Sequence, residues 1–210
     1  MKKLLFPLFM LAMIVTSCEK DPDMNKLDSD YSVYTDYDNS VHFNEFSTYY
    51  LPDSILVPDN SLKAKYWKDE NAQNIISAVA HELEQKGYVR TEDKEKANVG
   101  IQLSYAQQRI QMTTGGWYGG WWDAGFWGPY WGGGWYYPYP VTYSYDTGAL
   151  IMEMVDLRQP ADKSNQNKLH VFWLAYASGL LYGNSQFNMQ LTLNAVNQAF
   201  AQSPYLSNKQ

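Results

Sequence analysis

The sequence predicts an α+β domain, a two-layer sandwich in which a mostly antiparallel sheet carries two helices on one face. Three observations lead there. Several segments alternate apolar and polar residues at the strand period. Two segments, one marked by Ala72 to Leu83 and one from about 184 to 202, repeat apolar residues at the helical period instead. Their order is strands, helix, strand, hairpin, helix. Two helices with one apolar stripe each cannot enclose a core alone, and a sheet lying under both is the simplest way to bury the stripes.

Residues 31–37 alternate, with Tyr31, Val33, Thr35 and Tyr37 on one side and Ser32, Tyr34 and Asp36 on the other, which is a strand pattern. Asp38-Asn39-Ser40 is turn chemistry. A short strand is expected near Phe46–Leu51, and residues 52–60, with Pro52 and Pro58, read as loop. Ala72, Ile75, Ile76, Val79 and Leu83 then mark a helix that Asn60 or Asp69 could cap and that Gly87 ends. Val99, Ile101, Leu103 and Tyr105 alternate with polar neighbours and predict a half-buried strand. Residues 143–145 and 149–157 form the next strand, with Leu150, Met152 and Met154 on one face. Residues 169–177 are apolar on both faces, as a central strand would be. The last helix presents Met189, Leu193, Val196 and Phe200 on one stripe, with Phe187 and Leu191 beside it. Asn184 is its candidate cap, and Pro204 stops it.

Between the strand at 99 and the strand at 143 lies a segment unlike the rest. Residues 115–140 read GGWYGGWWDAGFWGPYWGGGWYYPYP and hold six of the eight tryptophans: Trp117, Trp121, Trp122, Trp127, Trp131 and Trp135. Asp123 is its one charge. The spacing suits neither helix nor strand, and the glycines and prolines interrupt both. Such a loop has three readings. It can be an insertion packed by its own rings. It can be an interfacial element, since Trp and Tyr favour the headgroup region of a bilayer. It can also be a platform on which rings stack against a glycan or peptidoglycan.

The first 17 residues give the clearest signal. Lys2 and Lys3 precede an apolar run over 4–15, too short for the roughly 20 residues of a spanning helix and right for a secretory signal. Val15-Thr16-Ser17-Cys18 follows, small residues before a cysteine, as a lipoprotein signal peptidase requires. Residues 1–17 are therefore expected to be a lipoprotein signal peptide, Cys18 the lipidated (palmitate-bearing) residue, 18–30 a flexible tether, and 31–206 a single domain. Cys18 is the one cysteine in the chain, which excludes an intramolecular disulfide and a cysteine-based metal centre. Acyl chains contribute about 0.8 kcal/mol per buried CH₂, so lipid on Cys18 is a firm anchor. Without residues 1–17 the chain has 14 basic and 22 acidic residues, a formal charge of −8. That balance argues against nucleic acid as a partner.

No pattern for catalysis or metal binding stands out. His42, His81 and His170 are dispersed, with no HExxH and no histidine pair at i, i+4. There is no GxSxG, no phosphate-binding loop and no dinucleotide fingerprint. His42 and Glu45 could meet only across a tight turn. Asp36 with Asp38, and Glu92 with Asp93, sit in turns as solvated carboxylates. No cofactor and no metal are expected.

Several segments together carry a resemblance: Tyr37-Asp38, Phe43 to Tyr50 (FNEFSTYY), Leu83 to Tyr88 (LEQKGY), Ala97 to Ile101 (ANVGI), Gly148 to Ile151 (GALI) with Val155-Asp156, and Val171-Phe172-Trp173. In this order, behind a lipobox, they resemble the bacterial lipoprotein family known as domain of unknown function 4136, over Tyr31 to Leu206. The resemblance implies an envelope lipoprotein with a small α+β domain and brings no catalytic residues. Leu174-Ala175-Tyr176 is more apolar than the family pattern leads one to expect at that place.

The expected function is thus a non-catalytic, membrane-anchored cell-envelope lipoprotein that binds or scaffolds, held at the outer membrane of a Gram-negative bacterium through Cys18. The expected partners are the membrane and a glycan or envelope protein. The alternatives are a glycan or peptidoglycan-binding module using the aromatic loop, and a hydrolase whose site the sequence does not reveal.

Overall fold

The computed structural model describes residues 31–57, 65–106, 110–113, 127, 135–136, 142–145, 148–158, 169–181 and 185–209. Among the described residues eleven strands and two long helices follow one another. The chain runs β1 (Ser32–Tyr37), β2 (Thr48–Tyr50), β3 (Ile55–Val57), β4 (Lys65–Trp67), α1 (Glu70–Gln85) and β5 (Val89–Arg90). It continues with β6 (Val99–Ala106), β7 (Ile110–Thr113), β8 (Trp135–Tyr136), β9 (Thr142–Tyr145), β10 (Ala149–Asp156), β11 (Leu169–Ser178) and α2 (Ser185–Ala201).

The sheet is built outward from β6, β10 and β11, whose long ladders are antiparallel. β1 adds antiparallel to β11 over Tyr37↔Trp173 to Ser32↔Ser178, and β8 adds parallel to the start of the same strand. The outer edge of β6 is shared likewise. β2 pairs with its start and β3 with its end, both in parallel, and β5 and β4 lie beyond them. Among the described residues this makes nine strands, with β7 and β9 forming a separate two-stranded ribbon. The α+β class holds, but the sheet is mixed rather than mostly antiparallel. The parallel additions are two- and three-residue strands, too short to carry a periodic signal. For that reason β3 lies in a stretch, 52–60, that reads as loop, and β4, equally short, gives no pattern of its own.

Both helices lie on one face. α1 buries Ala72, Ile75, Ile76, Val79 and Leu83, as its periodicity predicts. Asp69 caps it by accepting from the Ala72 amide at 3.0 Å. Its end is a Schellman motif: Tyr88 N–H donates to Leu83 C=O and Gly87 N–H to Glu84 C=O, with Gly87 at φ 99°. α2 buries Leu191, Ala195, Val196, Ala199 and Phe200, while Leu193 and Met189 are only half-buried. The stripe is therefore rotated from the expected one, because alanines let the helix lie close and become its contact line. These residues meet Ile101, Leu103, Leu150, Met152, Met154, Trp173 and Ala175 from the sheet in one core.

The opposite face of the sheet is also buried. Gln102, Ser104, Ile151, Glu153, Val155, Val171 and Leu174 are all inaccessible, so β6 is buried on both sides rather than half-buried as the alternation suggested. A second apolar cluster of Ala97, Trp127, Val155, Leu157 and Val171 sits there, with Tyr50 at its border.

A register change between Met154 and Val155 shapes one end of the sheet. Trp173 faces Met154 and Val171 faces Val155, so Phe172 has no partner in the ladder, a β-bulge. Phe172 turns into the helix-side core and stacks on Phe46 with centroids 4.7 Å apart. Its carbonyl accepts from the Asp38 amide at 2.9 Å, which brings the end of β1 down onto the bulge.

Candidate functional site

Two places gather polar chemistry. The first is the second face of the sheet. Trp127 is 1% exposed and its six-membered ring lies against Gly100. A methyl on Gly100 would stand 2.7 and 2.8 Å from Trp127 Cζ3 and Cη2, so the glycine forms a notch for the indole. Tyr50 meets the ring edge-on at 6.2 Å. Trp127 Nε1 donates to Gln102 Oε1 at 3.1 Å, and Gln102 Nε2 donates to Glu153 Oε2 at 3.3 Å. Gln102 and Glu153 face each other across the β6–β10 ladder and are 6% and 5% exposed. A chain from indole to amide to carboxylate thus runs under the ring and satisfies groups that would be expensive to bury alone. Beside it a cleft is lined by Pro52, Leu56, Tyr66, Gln102 and Trp127. Its cavity volume is about 20 Å³, room for roughly one water.

The second place is the end of the sheet at the bulge. His170 Nε2 and Asp38 Oδ2 are 2.9 Å apart. Asp38 also accepts from the Ser40 amide at 2.9 Å and the Ser40 hydroxyl at 2.6 Å. Burial pulls the Asp38 carboxyl up, but the Ser40 hydroxyl and amide and the nearby His170 outweigh it and hold the group below its ordinary value. Arg158 grips Asp156 with two bonds, Nε to Oδ1 at 3.1 Å and Nη2 to Oδ2 at 3.0 Å, and reaches Glu45 Oε2 with Nη1 at 3.3 Å. Its guanidinium lies 4.0 Å above the Phe46 ring. The paired carboxylate of Asp156, ahead of the smaller opposing effect of burial, raises the Arg158 pKa. These bonds pin the turn at Phe43–Glu45 to the end of β10. An acid–imidazole pair can orient a general base, but here the acid also closes its own turn and the arginine is engaged by two carboxylates. The arrangement ties three chain segments together.

The residues singled out in the sequence fall as follows. Trp127 is a packed ring of the second core cluster, which corrects its reading as a stacking face for a ligand: its faces are covered by Gly100 and its neighbours. Trp135 lies on β8 and pairs with Leu169, so the aromatic segment contributes a strand where none was expected. Trp117, Trp121, Trp122 and Trp131, and Cys18 with the signal and tether, lie outside the described residues. His42 and Glu45 occupy one turn, through the Glu45 amide on the His42 carbonyl at 3.1 Å, while the Glu45 carboxylate pairs with Arg158. Asp93 binds the Glu95 amide and Lys96 in its turn, as an ordinary turn carboxylate would. Asp38 does more than the turn suggested, because its partner His170 is 132 positions away and invisible to local reading. Among the described residues, no three His, Cys, Asp or Glu side chains group as a metal site would require.

The segments behind the resemblance also find structural roles here. Asn98 Oδ1 accepts from the Ser47 amide and hydroxyl, each at 2.9 Å, and from the Thr48 amide at 3.3 Å, joining the start of β2 to the start of β6. Domain of unknown function DUF4136 matches residues 33–205. The chain belongs to the DUF4136 family. A DUF4136 family protein from Bacteroides thetaiotaomicron, known from its crystal structure, is 45% identical, with a TM-score of 0.75, covering 87% of this chain and 100% of that one. A PDZ domain protein from Parabacteroides distasonis shares 11% identity at a TM-score of 0.37, over 82% of this chain and 36% of that one, a likeness too slight to argue from. No curated protein matches the chain.

Proposed function

We propose that this DUF4136 protein is a non-catalytic lipoprotein of the cell envelope, anchored in the outer membrane by acyl chains on Cys18, and that its domain binds or scaffolds. The observation that carries the proposal is Val15-Thr16-Ser17-Cys18 directly after a short apolar run headed by two lysines. The polar tether that follows separates lipid from domain. The non-catalytic reading is supported by the engagement of the chemically capable groups: Asp38 with His170 and Ser40, and Arg158 with Asp156 and Glu45. Cells grown with an alkyne analogue of palmitate should incorporate it into the wild-type chain and not into Cys18→Ala, which should leave the membrane fraction. Label retained on Cys18→Ala would refute the anchor. Turnover of a sugar, ester or peptide substrate by purified protein, lost on replacing one carboxylate, would refute the non-catalytic part.

A glycan-binding role for the aromatic segment rests on Trp117, Trp121, Trp122, Trp131 and Trp135, since Trp127 is buried at 1% exposure and offers no free ring face. Replacing Trp121 and Trp122 with Ala should abolish glycan pull-down under that reading, and unchanged retention would end it.

A further inference from the structure

The tether enters the domain at one end of the sheet, and the two ends differ in charge. β1 begins at Ser32, whose hydroxyl meets that of Ser178, the last residue of β11, at 2.9 Å. At the same end the Gly148 amide donates to the Ala106 carbonyl at 2.8 Å, and the Leu180 amide to the Gly148 carbonyl at 3.0 Å. The β7–β9 ribbon is rooted here as well, since β7 follows Ala106 and β9 precedes Gly148 with only short links between. Ser32, Gly148, Ser178, Gly179 and Leu180 carry no charge, and Leu181 beside them is apolar and 48% exposed. α2 starts from this end, and residues 171–208 contain no acidic or basic residue at all. Lys65, on the outer hairpin, pairs with Val57 one residue beyond the Leu56–Ser104 pair and adds a cation near this level. The opposite end carries Asp38, Glu45, Asp156, Arg158 and the turn Lys94–Lys96.

We infer that the domain stands with the end around Ser32, Ser178 and Leu181 against the lipid surface that holds Cys18, and with the end that carries Asp38, Asp156 and Arg158 outward. This rests on the lipidation reading above. The 12 residues from Glu19 to Asp30 span about 40 Å fully extended and roughly 20 Å on average as a flexible chain. β11, with 10 residues, is about 33 Å long. Turning the opposite end to the membrane would stretch the tether well beyond its average span. The Ser32 end avoids that stretch, and Leu181 offers it an apolar contact.

Cys18 is the lone cysteine and its thiol is consumed by lipid, so one introduced cysteine is a unique attachment point. Leu181→Cys and, separately, Ser32→Cys mark the Ser32 end, and Lys96→Cys marks the opposite one. Each full-length lipidated variant carries an NBD probe in vesicles of phosphatidylcholine and phosphatidylglycerol containing a spin-labelled lipid. Quenching several-fold stronger at positions 181 and 32 than at 96 is the expected result. Equal quenching, or stronger quenching at 96, overturns the orientation. Flotation of the vesicles gives the separate readout: protein that does not float with them refutes the lipid anchor itself.

Discussion

Replacing Gly100 with Ala tests whether the second face of the sheet is built around one indole. The new methyl would lie 2.7 and 2.8 Å from Trp127 Cζ3 and Cη2, and 2.9 Å from Val155 Cγ2. Val155 can turn about χ1, whereas the ring is rigid and must move as a unit by about 1 Å to restore van der Waals distance. That movement strains the 3.1 Å bond from Nε1 to Gln102. Overpacking of this kind costs about 1–3 kcal/mol, and the weakened buried hydrogen bond about 1 kcal/mol more. A loss of about 2–4 kcal/mol corresponds, for a chain of this size, to a fall in Tm of roughly 5–15 °C. Trp127→Ala alone should cost about 3–5 kcal/mol. The sign of the double mutant decides the matter. Without the indole the two closest contacts of the methyl are gone and Val155 Cγ2 is left of the three nearest, and Ala in a strand interior is favoured over Gly by about 0.5–1 kcal/mol. Gly100→Ala should therefore be neutral or stabilising in a Trp127→Ala background. Urea unfolding followed by circular dichroism, which does not depend on the missing tryptophan, measures all four proteins. If the penalty of Gly100→Ala is the same in both backgrounds to within about 0.5 kcal/mol, the contact is not its cause.

Asn98→Ala should destabilise by about 1–3 kcal/mol, because three donors of Ser47 and Thr48 lose their acceptor. Asn98→Asp keeps that acceptor and should recover most of the loss in the same unfolding assay. Asp38→Asn tests the pairing at the bulge. A carboxyl held below its ordinary value of 3.8 contributes stability that is present above the unfolded pKa and is lost as pH falls through the folded one. The wild type should therefore exceed Asp38→Asn in urea midpoint at pH 7. The gap should narrow as pH drops below about 4, and a gap that widens on acidification would contradict the assignment.

Legibility in the sequence followed the range of the forces involved. The stripe of α1 and its Gly87 stop were legible because both are local, while its start stayed open between Asn60 and Asp69 until the Asp69 cap was seen. β10 and β11 were legible because they are long and apolar. β3, β4 and β8 were not, because two or three residues hold no period and their pairing depends on β6 and β11 being already in place. The same limit hid the polar sites. Nothing near Asp38 announces His170, and nothing near Gln102 announces Trp127, since a bulge and a strand register make those meetings. One signal did exist. Gly100 lies inside an alternating strand, where glycine weakens the strand unless something approaches closely. That position is a local signal of close approach, without naming the ring.

The covered second face changes what the aromatic segment has to explain. Both helices are used on the first face, yet Ile151, Val155, Val171 and Leu174 on the second are as buried as any core residue. A sheet apolar on both sides needs a second cover, and Trp127 in its notch shows the chain's own Gly/Trp-rich segment supplying part of it. Its composition suits that task. Each indole buries a large area with few torsions to freeze, and glycine on the facing strand lets the ring reach the backbone. Structural and recognition roles within the segment therefore separate by residue. Rings seated on the sheet, Trp127 first among them, should govern stability when replaced. Any ring that serves a partner should leave the unfolding free energy unchanged and alter binding alone. Stability and binding measured on the same set of tryptophan variants divide the segment between fold and function.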